Sequence, residues 1–253
     1  MAVLERTMFE VSRALEYFNA KELAAQAGQA PERFATVVLK ELVDNALDAC
    51  ETAGVSPVID IVTEERGDFV RISVQDNGSG IPPETVERIL NFQTRTSDKG
   101  AYRSPTRGAQ GNALKTVLGI PYSLGCNLPV IIESRGVRHI IHAWADPAGN
   151  VQVDHQGESG AQTIGTTVRV SVPAGGQEFY PERWAQAFAV FNPHAAIKIR
   201  LFGSEGGSNL ACSIPDPGKV KSADFYPTVT FPCEWRKFLP TDLTSPHWYT
   251  AED

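Results

Sequence analysis

Glu41, Asn45 and Asp48 are spaced four and then three residues apart, so a helix would stack them on one shared face. A carboxylate there can polarise an attacking water. An asparagine oxygen is a hard, uncharged ligand of the kind Mg²⁺ accepts when it also holds substrate phosphates. Taken alone, the same pattern describes the solvated face of a surface helix. Further along, Asp76-Asn77-Gly78-Ser79-Gly80-Ile81-Pro82 places a carboxylate ahead of two glycines. At the end of a strand, that carboxylate can accept a hydrogen bond from an exocyclic amine, and the glycines let a flat ligand approach the backbone. In isolation the segment reads as an Asp-Asn-Gly turn. A third cluster, Gly108-Ala109-Gln110-Gly111-Asn112-Ala113-Leu114-Lys115-Thr116, sets glycines before a helix start. Unpaired amides and the positive end of the helix dipole attract anions at such a place. Lys115 is positioned like a phosphate-binding lysine, although the Gly-x₄-Gly-Lys-Ser/Thr spacing of a Walker motif is absent.

Particular elements must carry these residues. Pro31 suits a first helical turn, Gly54 suits a stop, and Phe34, Val37, Val38, Leu42, Ala46 and Ala49 recur at helical spacing, which predicts a helix over 31–52. Residues 58–63 and 69–74 read as a hairpin turning at 66–68, and its second strand runs into Asp76. Residues 84–92 resume helical spacing. Residues 93–107 have no apolar periodicity and carry Arg95, Lys99, Arg103 and Arg107. This segment reads as a mobile lid, its cations facing either a polyphosphate or solvent. A helix is predicted to start near Gly111. Strands at 129–134, 138–144, 151–155 and 166–172 then predict an antiparallel meander, with Gly165-Thr166 opening the last one. A helix over 179–191 and a strand over 196–202 close the pattern. Residues 1–30 read as an N-terminal arm or edge packing on the core. The prolines at 215, 217, 227, 232, 240 and 246 exclude long elements beyond 203. The expected organisation is therefore an arm (1–30), one domain (31–203), and a Pro-rich extension or the start of a truncated following domain (204–253).

A chain of 253 residues with 42% hydrophobic content can bury a sizeable core. Its net charge of −7 argues against a surface that coats nucleic acid. Cys50, Cys126, Cys212 and Cys233 are scattered without metal-ligand spacing and read as reduced thiols. No signal peptide is recognisable and no apolar run approaches the ~20 residues a bilayer needs, so a cytoplasmic protein without membrane attachment is expected.

In this order, the Glu41 and Asn45 helix, Asp76-x-Gly78-x-Gly80, the lid, the glycine-rich helix start and Gly165-Thr166 resemble the GHKL ATPase superfamily, which includes DNA gyrase, mismatch-repair ATPases, an ATP-dependent chaperone and histidine kinases. Four segments are most similar to the B subunit of type IIB topoisomerases, the topoisomerase VI group. They are Glu41-Leu42-Val43-Asp44-Asn45-Ala46-Leu47-Asp48-Ala49-Cys50, Asp76-Asn77-Gly78-Ser79-Gly80-Ile81-Pro82-Pro83-Glu84, Arg107-Gly108-Ala109-Gln110-Gly111 and Phe191-Asn192-Pro193-His194-Ala195. The similarity spans roughly residues 30–202. Two features depart from it. Asn112-Ala113-Leu114-Lys115-Thr116 stands where the family continues its glycine loop with a further glycine and a serine. The family also carries a helical insert and a transducer domain that supplies a lysine to the γ-phosphate, whereas residues 204–253 are non-periodic.

The resemblance implies an α+β Bergerat fold, a mixed and mostly antiparallel sheet with helices on one face. It implies ATP and Mg²⁺ as cofactors. Glu41 would orient and deprotonate the attacking water, and Asn45 would bind Mg²⁺. Asp76 would accept the adenine amino proton with help from Thr166, beside Gly78, Gly80 and Ile81. Gly108, Gln110, Gly111, Asn112 and Lys115 would hold the β- and γ-phosphates. Asp48, on the Glu41 face, supports the metal shell or caps a neighbouring loop, the first being favoured, and Asp44 either reaches the base or is solvated. The implied function is ATP hydrolysis driving a homodimerising clamp for DNA topology or double-strand manipulation. A separate DNA-cleaving subunit would do the cutting, and DNA would be reached through that complex. Three alternatives stand beside it: a stand-alone GHKL ATPase of repair, chromosome maintenance or phage defence; a histidine or serine kinase, for which no upstream helical hairpin is visible; and a silent nucleotide-binding module, against which Glu41 and Asn45 together speak. The chain is either an excised piece of a longer protein or a stand-alone relative.

Overall fold

The computed structural model describes residues 13–92, 113–161, 164–192, 194–203 and 210–213. The expected lid and the glycines ahead of the fourth helix lie outside these residues. After a 3₁₀ turn at Arg13–Tyr17, helix α1 spans Ala20–Ala27. Asn19 caps it by accepting from the Lys21 and Glu22 amides, and Gly28 ends it in a left-handed conformation. A second 3₁₀ turn at Pro31–Arg33 leads into helix α2, Phe34–Thr52. Phe34, Val38, Leu39, Leu42, Val43 and Leu47 of α2 are buried, while Lys40, Glu41, Asp44 and Asn45 keep partial exposure. Helix α2 thus turns one stripe to the core and presents the polar residues on the other side.

Strands β1 (Val58–Arg66) and β2 (Phe69–Gln75) form the expected hairpin. Helix α3 (Pro83–Ile89) and helix α4 (Ala113–Ser123) precede strands β3 (Val130–Ser134), β4 (Val137–Ala145), β5 (Val151–Ser159) and β6 (Thr166–Pro173). Helix α5 (Pro181–Phe191) and strand β7 (Ala196–Phe202) follow, and β8 (Leu210–Ser213) pairs antiparallel with β7. The last strand falls within the span expected to lack long elements. At four residues it is too short to leave a readable alternation.

One sheet holds all eight strands in the order β5-β4-β3-β6-β2-β1-β7-β8, and only β1 and β7 pair in parallel. The fold is therefore the expected α+β type with a mixed, mostly antiparallel sheet. The predicted four-strand meander is corrected in one respect: β5, β4 and β3 are consecutive neighbours, but β6 leaves them and inserts between β3 and β2. Its side chains are buried at Thr166, Thr167, Val168, Val170, Ser171 and Val172. A strand buried along most of its length belongs at the centre of the sheet, with a neighbour on each side.

The helices cover one face. Ile59, Ile61, Ile72, Val74, Ile132, Ile141 and Val170 point from that face into the core shared with α2 and α4. The other face carries ion pairs between strands, Arg200 with Asp60 at 3.0 Å and Arg169 with Glu133 at 2.8 Å. Pairs this exposed contribute little stability. They mark the strands' second side as polar. Residues 14–23 pack into the core: Tyr17, Phe18 and Leu23 are buried, and Phe18 meets Phe92 and Tyr122 edge-on at 5.0 and 5.8 Å.

Candidate functional site

Asp76 leaves the end of β2 beside the start of β6. Its backbone amide donates to the Thr166 carbonyl at 3.0 Å. Its Oδ1 accepts from the amides of Gly78 at 2.8 Å and Thr166 at 3.2 Å. Among the described residues both donors converge on Oδ1, which leaves Oδ2 for a donor on a ligand. Asp76 is 6% exposed, and burial pushes its carboxyl up to about 6, against the pull of the two amides. Gly165, at φ +79, makes the close approach possible: a Cβ there would lie 2.1 Å from the Asp76 carbonyl oxygen.

The glycine loop after Asp76 packs on the helix that bears Glu41. A Cβ on Gly78 would come 2.8 Å from the Ala49 backbone of α2, so the space opened at Gly78 is filled by the helix. Asn77 fastens the same junction. Its Oδ1 accepts from the Val58 amide at 2.8 Å and the Cys50 thiol at 3.1 Å, and its Nδ2 donates to the Ser56 carbonyl at 3.0 Å. Burial pushes the Cys50 thiol up to about 11, which makes it inert as a nucleophile.

Ser134, which sequence reasoning missed, closes the other side. Fully buried at the end of β3, its Oγ accepts from the Ile81 amide at 2.7 Å and donates to the Gly165 carbonyl at 3.1 Å, with Thr166 Oγ1 at 3.3 Å. The only signal in the sequence was a serine ending an apolar strand. Ser134→Ala leaves the Ile81 amide without its acceptor, and this should cost about 1–3 kcal/mol of stability. Thermal denaturation measures it; an unchanged melting temperature would show the loop does not depend on this bond.

On α2, the Lys40 ammonium lies 2.8 Å from Asp44 Oδ2 and 3.3 Å from Glu41 Oε1. Burial pulls the Lys40 pKa down, but Asp44 and then Glu41 outweigh it and hold the group above its ordinary value. Asp44 is thus an ion-pair partner one turn from Glu41. Asp48 is 8% exposed. Asn45 Nδ2 is buried without a hydrogen-bond partner among the described residues. A half-turn of the amide exchanges nitrogen and oxygen, and would put an acceptor where a cation or its bound water could satisfy it. Asn45 therefore fits a Mg²⁺ ligand.

The structure links Asp76, Gly78, Ile81 and Thr166 through hydrogen bonds that pass by way of Ser134, with Gly78 against α2 and Gly80 against Ser134 and Arg135. Lys115, 2% exposed, donates from Nζ to the Asn91 carbonyl at 2.6 Å, just past α3, with the Phe92 ring 5.9 Å away. Gly108, Gln110, Gly111 and Asn112 lie outside the described residues. No helix among the described residues is long and apolar enough to cross a membrane.

Residues 30–176 match the model of the histidine kinase-, DNA gyrase B- and HSP90-like ATPase family. The chain belongs to that family. This ATPase domain is the GHKL superfamily domain that its motifs resembled, and it binds ATP. Several archaeal proteins, each named as the B subunit of type 2 DNA topoisomerase 6, are similar to it. The one from Natronomonas pharaonis is 31% identical over 169 residues, 64% of this chain and 21% of the relative. The one from Thermococcus sibiricus is 32% identical over 139 residues, 54% and 24%. The one from Archaeoglobus fulgidus is 30% identical over 204 residues, 75% and 33%. The chain thus spans a fifth to a third of the length of these relatives.

Proposed function

We propose that this chain is the ATP-operated part of a DNA-topology machine, hydrolysing ATP with Mg²⁺ and acting in the cytoplasm as a clamp beside a separate DNA-cleaving subunit. The observation that carries the nucleotide reading is the buried Asp76 carboxylate, held by Gly78 and Thr166 through one oxygen. Its second oxygen would take the adenine amine, with Thr166 beside it and Gly78, Gly80 and Ile81 along the base. Glu41 would take the proton of the attacking water. Asn45 would contribute its amide oxygen to Mg²⁺, which when bound neutralises charge on the phosphates in a loose transition state. Asp48 would support that shell. Gly108, Gln110, Gly111, Asn112 and Lys115 would grip the phosphates, and for Lys115 this requires release from the Asn91 carbonyl.

The clamp and its cleaving partner rest on the similarity to the topoisomerase 6 relatives. ATP would act as a switch: phosphate contacts bias a two-state loop, two protomers join, and hydrolysis resets them. DNA would be engaged through the assembled complex, in keeping with the chain's net charge of −7.

Isothermal calorimetry with a non-hydrolysable ATP analogue and Mg²⁺, with light scattering on the same samples, tests this reading. Binding together with a doubling of mass is expected. Binding without a change of mass would remove the homodimeric clamp from this chain, and no binding by folded protein would overturn the nucleotide reading.

A further inference from the structure

Strands β3 and β4 are joined by a two-residue turn, Arg135-Gly136, across which Ser134 pairs with Val137. Both turn residues have left-handed backbones, φ +48 at Arg135 and φ +76 at Gly136. Tight hairpins favour such angles because they match the twist of the strands, and they are ordinarily built from Asn-Gly or Gly-Gly. Gly136 conforms. Arg135 is the one non-glycine with positive φ among the described residues, and a long L side chain is strained in that region.

What the arginine does there accounts for the strain. Its Nε donates to the Ser79 carbonyl at 3.2 Å. Its stem lies over the next residue: a Cβ on Gly80 would come 3.1 Å from Arg135 Cγ and 2.8 Å from Ser134 Oγ. With Ser134 accepting from the Ile81 amide at 2.7 Å, the hairpin end holds three successive residues of the glycine loop, Ser79, Gly80 and Ile81. Asn or Gly would relax the turn but would not reach Ser79.

We propose that Arg135 is a positioning residue of the nucleotide pocket, gripping the Ser79-Gly80 backbone so that the loop after Asp76 keeps the place a bound base needs. This inference rests on the ATP reading of the site. It separates two effects that a merely structural residue would move together. Removing the side chain relieves the turn, so the fold is kept or strengthened, while the loop loses its hold and binds less well.

The test is calorimetry with a non-hydrolysable ATP analogue, paired with thermal melting, on the parent chain, Arg135→Asn, Arg135→Gly and Arg135→Lys. Asn and Gly should melt at or above the parent temperature yet bind the analogue roughly three- to tenfold more weakly, the scale of one exposed charge-assisted hydrogen bond. Lys, which keeps a cationic donor of similar reach, should recover much of the affinity. Parent-like affinity in Asn and Gly overturns the proposal, and so does a melting temperature that falls together with affinity. A folded parent that binds no analogue removes the nucleotide reading, and this inference with it. A parent that binds alongside an Arg135→Asn variant that binds equally well removes the inference alone.

Discussion

Glu41→Gln is expected to stop ATP turnover while leaving ATP bound. Glu41 sits on the polar side of α2, its Oε1 3.3 Å from the Lys40 ammonium and its side chain 26% exposed. That placement keeps the carboxylate at the surface of the site, where it can reach a water. Glutamine has the same length and hydrogen-bonding reach but cannot take a proton. The fall in turnover should be about two to four orders of magnitude, the usual worth of a general base. Affinity should stay within about twofold, because the group acts in the transition state rather than on the ground state. Phosphate release under saturating ATP measures the first quantity and calorimetry the second. Turnover within tenfold of the parent would remove Glu41 from the role of base.

Asp76→Asn should act on binding instead. Asparagine can keep the two bonds from Gly78 and Thr166 by leaving its oxygen in the Oδ1 place, but it then sets an NH₂ group where the free oxygen stood. That NH₂ and the adenine amine would then be two donors facing each other. A loss of affinity on the order of a hundredfold follows from leaving such groups unpaired in a buried site. The fold should not suffer at neutral pH, since the substitution removes a buried charge.

The pH dependence of the parent supplies a second check. The Asp76 carboxyl is raised to about 6 in the folded protein from 3.8, chiefly by burial. The folded state therefore holds that proton more tightly than the unfolded state. The stabilisation this gives is complete below about pH 4 and is lost as pH climbs through 6. Adenine recognition runs the other way, because the carboxylate must be ionised to accept. Acidifying from pH 7.5 to 5 should weaken nucleotide binding while this group favours the fold. Affinity that is flat across that range, with Asp76→Asn binding normally, would remove Asp76 from the adenine site.

Much of the molecule was legible in local order. The spacing of Phe34, Val38, Leu42 and Ala46 marked α2, and the same helical period placed Glu41 and Asn45 on its polar side. The β1–β2 hairpin was readable because each strand stays apolar and β-branched on either side of Arg66-Gly67-Asp68. Ser134 shows where such reading stops. It ends an apolar strand like many serines, yet its hydroxyl takes the Ile81 amide and meets the Gly165 carbonyl, partners that no spacing rule identifies.

By itself the sequence determined the longer elements, their order, and which residue types each presents, because helical and strand periods are properties of neighbours a few positions apart. It also determined the family, through motifs short enough to lie within single elements and their ends. Only the tertiary structure decided that β6 enters the middle of the sheet, that Gly78 yields its space to Ala49, and that Ser134 and Arg135 close over the glycine loop. Asp76 meets Thr166 across 90 positions, and Ile81 meets Ser134 across 53. Contacts at such separations depend on which strands pair and in what register, and that is settled by how the whole sheet packs against its helices rather than by any local pattern.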